Sequence, residues 1–277
     1  MKAIARRLLL EALARLTAET GPRGLPALTY HSIDESGSAV SFPLAYFRAQ
    51  IEWLASRGFR GITAAQAAEA LAAGEVPPRS VVLTFDDGFA TVRETALPVL
   101  SECGFVATVF CSAGYVGKPC GWERAPDIPA FDLMPWDDLG FLASQGWEIG
   151  AHTMSHARLP ELAADGMREE IQQSRRTLTE ALGCPVSSFA YPYGGFDDRC
   201  SQAVREAGLL SAWTMEPVIN RPGRDLFALG RFNCNRVQSD SPRTAALAAQ
   251  VCLEGRYGAY AALTGRAIRR RRSRSGR

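Results

Sequence analysis

Two of the three histidines in this chain lie four residues apart, in the segment His152-Thr-Met-Ser-His156. The segment follows the run WEIGA, which is typical of a short buried strand. On a helix or a tight turn, this spacing can direct both imidazole rings to one metal ion. Two nearby histidines also occur without any ligand role, so the pair needs a third ligand to become a metal site.

That third ligand could come from the adjacent acids Asp86 and Asp87, which follow the apolar run SVVLTF. One carboxylate would complete a two-histidine, one-aspartate set that leaves positions for water and substrate. The other carboxylate could then act as a general base. A bound cation lowers the pKa of water and polarises a carbonyl, so these residues together favour hydrolysis of an amide or an ester. The alternative is that Asp-Gly only forms a turn at the end of the strand.

The elements that must position these residues alternate between strands and helices. Helical patterns such as TAAQAAEALAAG and residues 161–182 separate the short apolar runs. This alternation predicts an α/β fold with mostly parallel strands, and sites in such folds assemble at the carboxyl ends of the strands. The Gly- and Pro-rich stretch 112–135 is interpreted as a long surface loop. Four predicted strands end on polar or aromatic residues, namely His31, Asp86 with Asp87, His152 and Tyr193.

Three segments resemble, in order and spacing, the motifs of polysaccharide deacetylases (carbohydrate esterase family 4, the NodB-homology domain). They are TFDDGF at 84–89, HTMSH at 152–156 and FAYPYG at 189–194. The resemblance runs from about residue 25 to residue 235. It implies a distorted (β/α) barrel of the NodB-homology type, which removes N-acetyl groups from amino sugars of a polysaccharide or a glycan precursor.

The resemblance also implies roles for individual residues. Asp87, His152 and His156 would hold a divalent metal ion, usually Zn²⁺, and Asp86 would be the catalytic base. The backbone N–H of Tyr193 would help to stabilise the oxyanion, which is a task for a fixed donor aimed at developing charge.

The sequence departs from the family pattern in two places. Ala190 stands where the third motif usually has an arginine that orients the catalytic aspartate, and no histidine follows His156 to serve as the usual general acid. The segment ALTYHSID around His31 resembles the TYH segment of a branch that acts on poly-N-acetylglucosamine, where this early histidine is thought to replace the late one. We therefore expect His31 to be the acid. The alternative is a turn histidine bonded to the backbone.

Two further residues are candidates for substrate binding. Arg231, in ALGRFN, could contact the substrate, replace the missing arginine, or form a surface salt bridge. Trp213 could wall a pocket for the acetyl methyl group together with Tyr193, or be a plain core aromatic.

Composition favours a single soluble globular domain with short flanking segments, since 47% of the residues are hydrophobic and 22% are charged. Seven of the 31 basic residues lie within 266–277, which leaves 24 basic and 29 acidic residues, a net charge of −5, on the rest of the chain. This acidic body argues against a nucleic-acid partner. The predicted divisions are an N-terminal amphipathic helix (1–24), the deacetylase domain (25–240), and a C-terminal helix with an Arg-rich tail (241–277).

The first twenty residues begin like a signal peptide, but Glu11 and Arg15 interrupt the apolar stretch. We interpret them as a helix packed on the domain, with a helix lying on a membrane surface as the alternative. Seven cysteines without a C-x-x-C pair are typical of thiols in a reducing compartment. The expected location is therefore the cytoplasm, with peripheral contact to the inner membrane face, through this helix or the Arg-rich tail, as the alternative.

Two other functions fit the same residues. A catalytically weak carbohydrate-binding relative would keep the fold. It would need neither a set of three metal ligands nor a second aspartate that is free to act as a base. A deformylase or deacylase of a lipid- or nucleotide-linked sugar would use the same side chains on a different substrate. The expected partner in each case is an N-acylated glycan or amino sugar.

Overall fold

The computed structural model describes residues 8–13, 24–122, 131–236, 240–257 and 259–260. Within these residues, eight strands form one sheet in the order β10-β1-β5-β6-β7-β8-β9, with β4 also paired to β5. Every strand pair in this sheet is parallel, as the alternation of strands and helices predicts. The strands are β1 (Ala27–Tyr30), β4 (Arg60–Ile62), β5 (Ser80–Asp87), β6 (Thr108–Cys111), β7 (Glu148–Ala151), β8 (Ser188–Ala190), β9 (Ser211–Trp213) and β10 (Phe232–Asn233).

The central strand β5 explains why the sheet must be covered on both faces. All eight of its residues, SVVLTFDD, are buried. Its first six residues are mainly β-branched and aromatic, which suits a strand packed on both sides. Helices supply that cover: α1 (Leu44–Ser56), α2 (Ala64–Ala73), α3 (Leu97–Glu102), α4 (Trp136–Ser144), α5 (Ala164–Leu182), α6 (Asp198–Glu206) and α7 (Pro242–Leu253).

One short segment near the end of the domain joins the two edges of the curled sheet. Leu229 forms a parallel bridge with Trp213 of β9, and three residues later Phe232 pairs with Leu28 of β1. We call residues 229–233 the closing segment. Because it contacts both edge strands, the sheet forms the distorted (β/α) barrel expected from the resemblance.

The helices begin and end where local sequence signals place them. Thr63 caps α2 with a capping box, in which its side chain accepts from the backbone of Gln66 and the Gln66 side chain accepts from the backbone of Thr63. Asp197 caps α6 by accepting from the backbone N–H of Cys200. Helix α5 ends at Gly183, which has a φ of 65°.

Several element boundaries differ from the pattern. The helix expected over 161–182 begins at Ala164 because a 3₁₀ turn with a proline, Leu159–Glu161, precedes it. The run SSFAYPYG is a strand only over Ser188–Ala190, since Pro192 starts a 3₁₀ turn. A small sheet of β2 (Ser32–Ile33) and β3 (Ser41–Phe42) was not predicted, because two-residue strands carry no periodic signal.

The described parts of the flanking segments pack on the domain. Residues 8–13 are helical, and Leu10 and Leu13 are buried in the main hydrophobic core. Glu11 forms an ion pair of 3.1 Å with Arg243 at the start of α7. The rest of the predicted N-terminal helix and the Arg-rich tail lie outside the described residues. In the part of the chain that the structure describes, no helix has the length and apolar character needed to cross a membrane.

Candidate active site

The predicted site residues follow strands that lie side by side in the barrel. His31 follows β1, Asp86 and Asp87 end β5, and His152 follows β7. Tyr193 lies in the 3₁₀ turn after β8. Strand β5 pairs with β1 on one side and with β6 on the other, and β7 and β8 come next. The parallel order therefore brings all of these residues to the carboxyl edge of the sheet.

Asp87, His152 and His156 form a compact buried cluster. Oδ1 of Asp87 lies 3.1 Å from Nε2 of His156 and 3.4 Å from Nε2 of His152. One ligand atom from each residue lies within 4.8 Å of the other two. This is the only group of three such side chains that could hold a metal ion among the residues described.

The tautomer of His152 indicates that this cluster is suited to a bound cation. Nδ1 of His152 lies 2.7 Å from the carbonyl oxygen of Ala190, which can only accept, so Nδ1 carries the proton. In the neutral ring, Nε2 then presents a lone pair toward the carboxylate oxygen of Asp87. Two lone pairs face each other in a buried site, and a cation between them removes the repulsion. The donor set therefore fits a divalent metal, and the Ala190 carbonyl acts as the outer contact that orients the ligand.

The charge state of Asp87 suits the same role. Burial by itself would raise the pKa of this carboxyl, but the neighbouring imidazoles of His156 and His152 lower it well below the usual range. A carboxylate must be ionised to bind a metal ion. Asp87 is therefore in its ligand form at neutral pH.

Arg231 of the closing segment holds the carboxylate of Asp86 through hydrogen bonds. The guanidinium makes two hydrogen bonds to the carboxylate, of 2.6 Å to Oδ1 and 2.8 Å to Oδ2. Arg231 also donates to the carbonyl of Thr214 and to the hydroxyl of Thr84, and its side chain has no exposed surface. The interpretation of Arg231 as a surface salt bridge is therefore wrong. The third family motif usually has an arginine that orients the catalytic aspartate, and this chain has Ala190 at that position. Arg231 makes the contact with Asp86 that this arginine would make.

Burial would raise the pKa of Asp86, but the charge of Arg231 and its hydrogen bonds outweigh that effect, so the pKa lies below its usual range. Asp86 is consequently ionised at neutral pH, and its orientation is fixed by a bidentate contact. Both properties are needed in a general base.

His31 directly follows β1, and Tyr30 at the end of that strand pairs with Phe85 of β5, so His31 comes to the same edge of the sheet as Asp86 and Asp87. Its Nδ1 is buried and makes no hydrogen bond. The contact expected for a turn histidine, Nδ1 bonded to a backbone carbonyl, is therefore absent from the described residues.

Strained backbone is concentrated at the site. Five residues other than glycine have a positive φ in the described chain, and four of them lie in the motif segments. Such conformations cost about 1–3 kcal/mol each and persist where the surrounding structure requires them. The four are Asp87 (74°), Thr153 (65°), His156 (59°) and Tyr193 (58°).

Aromatic residues surround His156. The half-buried Trp122 stacks on its ring with centroids 4.7 Å apart, and the Tyr193 ring meets it edge-on at 4.5 Å. The guanidinium of Arg158 lies 3.6 Å over the Tyr193 ring. Sequence reasoning missed Trp122, because the stretch 112–135 was interpreted only as a loop. A tryptophan among glycines and prolines is the signal that points to it.

Two assignments to substrate binding need correction. Trp213 is fully buried in a core cluster with Phe110 and Leu229, and its indole N–H donates to Ser211. Arg231 is equally buried and is engaged with Asp86. Neither side chain has a surface that a substrate can touch, so Trp213 is a core aromatic and Arg231 supports the site from the inside.

A buried set of two histidines and one carboxylate at the carboxyl edge of a curled parallel sheet defines the site of a metal-dependent hydrolase of the α/β class. A family model described as polysaccharide deacetylase matches residues 73–212, just over half of the chain. The chain belongs to the polysaccharide deacetylase family. His31 and Arg231 lie outside the matched residues, so the case for both rests on the geometry.

Individual relatives agree with this membership. IcaB from Ammonifex degensii has a TM-score of 0.71 and 28% identity, covering 83% of this chain and 98% of that one. The Streptococcus pyogenes deacetylase PplD has a TM-score of 0.69 over 80% of this chain and 96% of its own, at 21% identity, and it shows a common fold. The poly-β-1,6-N-acetyl-D-glucosamine N-deacetylase of Staphylococcus aureus (strain MSSA476) is 25% identical over 195 residues, or 67% of this chain and 65% of that protein.

Proposed function

We propose that this protein is a Zn²⁺-dependent N-deacetylase that releases acetate from N-acetylglucosamine units of a glycan polymer. The observation that carries the proposal is the buried cluster of Asp87, His152 and His156 beside a second, separately held aspartate, Asp86. A site that only bound sugar would have no use for an ionised base next to three metal ligands. The substrate class follows the name of the S. aureus relative, of which the chain spans 65%.

Two imidazoles and one carboxylate suit Zn²⁺, which takes three protein ligands in catalytic sites and keeps a position open. When bound, the ion lowers the pKa of water and polarises the acetyl carbonyl. The ligand residues hold their part of this site without rearrangement, because the Ala190 carbonyl fixes the ring of His152 and the backbone at Asp87 and His156 is already in its strained conformation.

Asp86 takes the proton from the attacking water. Its carboxylate is ionised, and the two hydrogen bonds from Arg231 hold it in one orientation, so little rotational freedom remains to be lost in the reaction. The backbone N–H of Tyr193 then donates to the oxyanion that develops on the acetyl oxygen. The edge-on contact between the rings of Tyr193 and His156 supports a role for Tyr193 beside the cluster.

His31 supplies the proton that the leaving sugar nitrogen needs when the carbon–nitrogen bond breaks. It directly follows the neighbouring strand β1, whose last residue, Tyr30, pairs with Phe85 next to Asp86. Histidine is the side chain best suited to donate a proton near neutral pH. The products are acetate and a free amine.

An acetate-release assay on N-acetylglucosamine oligomers of several lengths tests this function. We expect about one equivalent of metal per chain, loss of activity with a chelator, and recovery with Zn²⁺. Asp86→Asn keeps size and removes the proton acceptor, so it should retain metal and fold while the rate falls about 10²–10⁴-fold. Asp198→Asn, an exposed aspartate in α6, is the control and should be unaffected.

Wild-type rates in Asp86→Asn would disprove the assignment of the base. A wild-type protein that binds metal and releases no acetate from any oligomer would favour the carbohydrate-binding interpretation.

A further inference from the structure

The loop that carries both histidine ligands has an unusual backbone. Residues 152–156 leave β7 and make no regular structure, and two residues of the loop, Thr153 and His156, have positive φ values of 65° and 59°. A left-handed conformation disfavours residues with side chains, so contacts from outside the loop must stabilise it. His156 is the ligand that depends most on this loop, since it lies at its far end.

One of those contacts comes from helix α5. Oε2 of Glu170 accepts from the backbone N–H of Met154 at 2.8 Å and from that of Ser155 at 2.9 Å. Oε1 of the same carboxylate accepts from the Ser155 hydroxyl at 2.6 Å. A single side chain therefore satisfies two adjacent backbone donors and one side-chain donor of the loop.

The opposite side of the loop is held through its carbonyl groups. The backbone N–H of Ala113 donates to the carbonyl of Thr153 at 3.0 Å, and that of Gly114 donates to the carbonyl of Met154 at 2.9 Å. These backbone contacts do not depend on side-chain identity. Glu170 is thus the side chain that binds the backbone N–H groups of Met154 and Ser155 in the loop.

We propose that Glu170 is a positioning residue that fixes the 152–156 loop in the conformation in which His156 meets Asp87, and so sets the affinity for the metal. The inference rests on the proposed metal site. The hydrogen bonds of Glu170 are made with Met154 and Ser155. Its effect passes through the backbone of Met154 and Ser155 to the next residue, His156.

Metal affinity and the absorption spectrum of the Co²⁺-substituted protein test the proposal without reference to activity. Glu170→Ala should weaken Zn²⁺ binding about 10–100-fold, as is typical for outer contacts of a metal ligand, and should change the Co²⁺ spectrum. Glu170→Gln keeps an oxygen for both N–H groups, so it should restore affinity to within a few-fold of wild type. Glu169→Ala removes the same charge from an exposed position one residue earlier and should change neither measurement.

Each outcome is distinguishable from failure of the proposed function. A wild-type protein that binds no metal would overturn the metal site itself. A wild-type protein that binds metal, together with a Glu170→Ala variant of equal affinity and unchanged spectrum, would overturn only the role of Glu170. If Glu170→Ala does not fold, Glu170→Asp, whose carboxylate is one methylene shorter, gives the same test.

Discussion

His31, Asp86 and Asp87 bring one imidazole and two carboxylates to the carboxyl ends of two neighbouring strands, β1 and β5. Both aspartates have a pKa below the usual range in spite of complete burial, so the cluster keeps its negative charge at neutral pH. His31 follows Tyr30, which pairs with Phe85 next to Asp86, so the imidazole belongs to the same edge of the sheet as the two carboxylates. Nδ1 of His31 is buried and makes no hydrogen bond to the described residues.

We predict that His31→Ala keeps metal and fold but loses at least about tenfold in the rate of amide hydrolysis. The loss should be smaller on activated esters, because their leaving groups depart without a proton. The measurement is kcat/KM on an N-acetyl sugar and on an activated acetate ester of similar size. An equal loss on both substrates would mean that His31 orients the site instead, and no loss on either would leave the acid unidentified.

The motif residues could be recognised from sequence because each follows an apolar run and has a side chain suited to metal or proton chemistry. Arg231 could be named from the sequence as a candidate, but its role could not be assigned. It comes 145 residues after Asp86, and no local pattern connects the two residues. Glu170 was missed for a similar reason. It lies on the polar side of an amphipathic helix, where a glutamate is most often only solvated.

At the scale of elements, the turn after β6 and the loop after β7 touch through their backbones. The space at Gly114 is so small that a Cβ there would lie 2.7 Å from the carbonyl oxygen of Met154. This approach allows the hydrogen bond from the Gly114 N–H to the same oxygen. The packing of the two connections thus requires a residue without a side chain at this point.

Gly114→Ala should push the histidine loop away from β6 and lower Zn²⁺ affinity and kcat/KM by at least about tenfold. Gly140→Ala in α4 is the matched control, because a Cβ at Gly140 meets nothing within 4 Å. That control should keep activity and gain up to about 1 kcal/mol in unfolding free energy, from the higher helix propensity of alanine. A Gly114→Ala protein with wild-type metal affinity would show that the loop adjusts without cost.

At the scale of the whole molecule, a half-buried acid lies at the amino end of the strands, opposite the site. Glu148 begins β7, and its Oε2 accepts from the backbone N–H of Ala65 at 2.8 Å and from the hydroxyl of Thr108 at 3.1 Å. Burial raises the pKa of this carboxyl above its usual range, although these hydrogen bonds oppose the shift. The carboxyl ties the start of α2 to the barrel interior.

Because the folded state binds the Glu148 proton more tightly than the unfolded chain does, the resulting stability is complete below the usual glutamate pKa of about 4.3 and is lost as pH rises through the folded value. Glutamine does not titrate, so Glu148→Gln should not lose this contribution to the free energy of unfolding. The stability of the variant relative to wild type should therefore increase as pH rises. Urea unfolding at several pH values between about 4 and 8 measures the difference. A difference independent of pH would contradict the prediction.

The fold class could be predicted in full, because alternating strands and helices leave few parallel arrangements. The barrel itself was expected only from the family resemblance, since β10, which closes it, has only two residues and follows a long irregular stretch. Its position is decided by packing between distant parts of the chain, and that packing has no periodic signature in sequence.

The closing segment has a consequence for how the protein is made. Synthesis on the ribosome delivers Asp86 and the metal ligands long before Arg231, which comes 145 residues after its carboxylate partner. A nascent chain that has already formed most of the sheet would still lack the guanidinium that keeps Asp86 ionised and oriented. Hydrolysis would therefore begin only when the last strand docks, so that the appearance of activity marks the completion of the barrel.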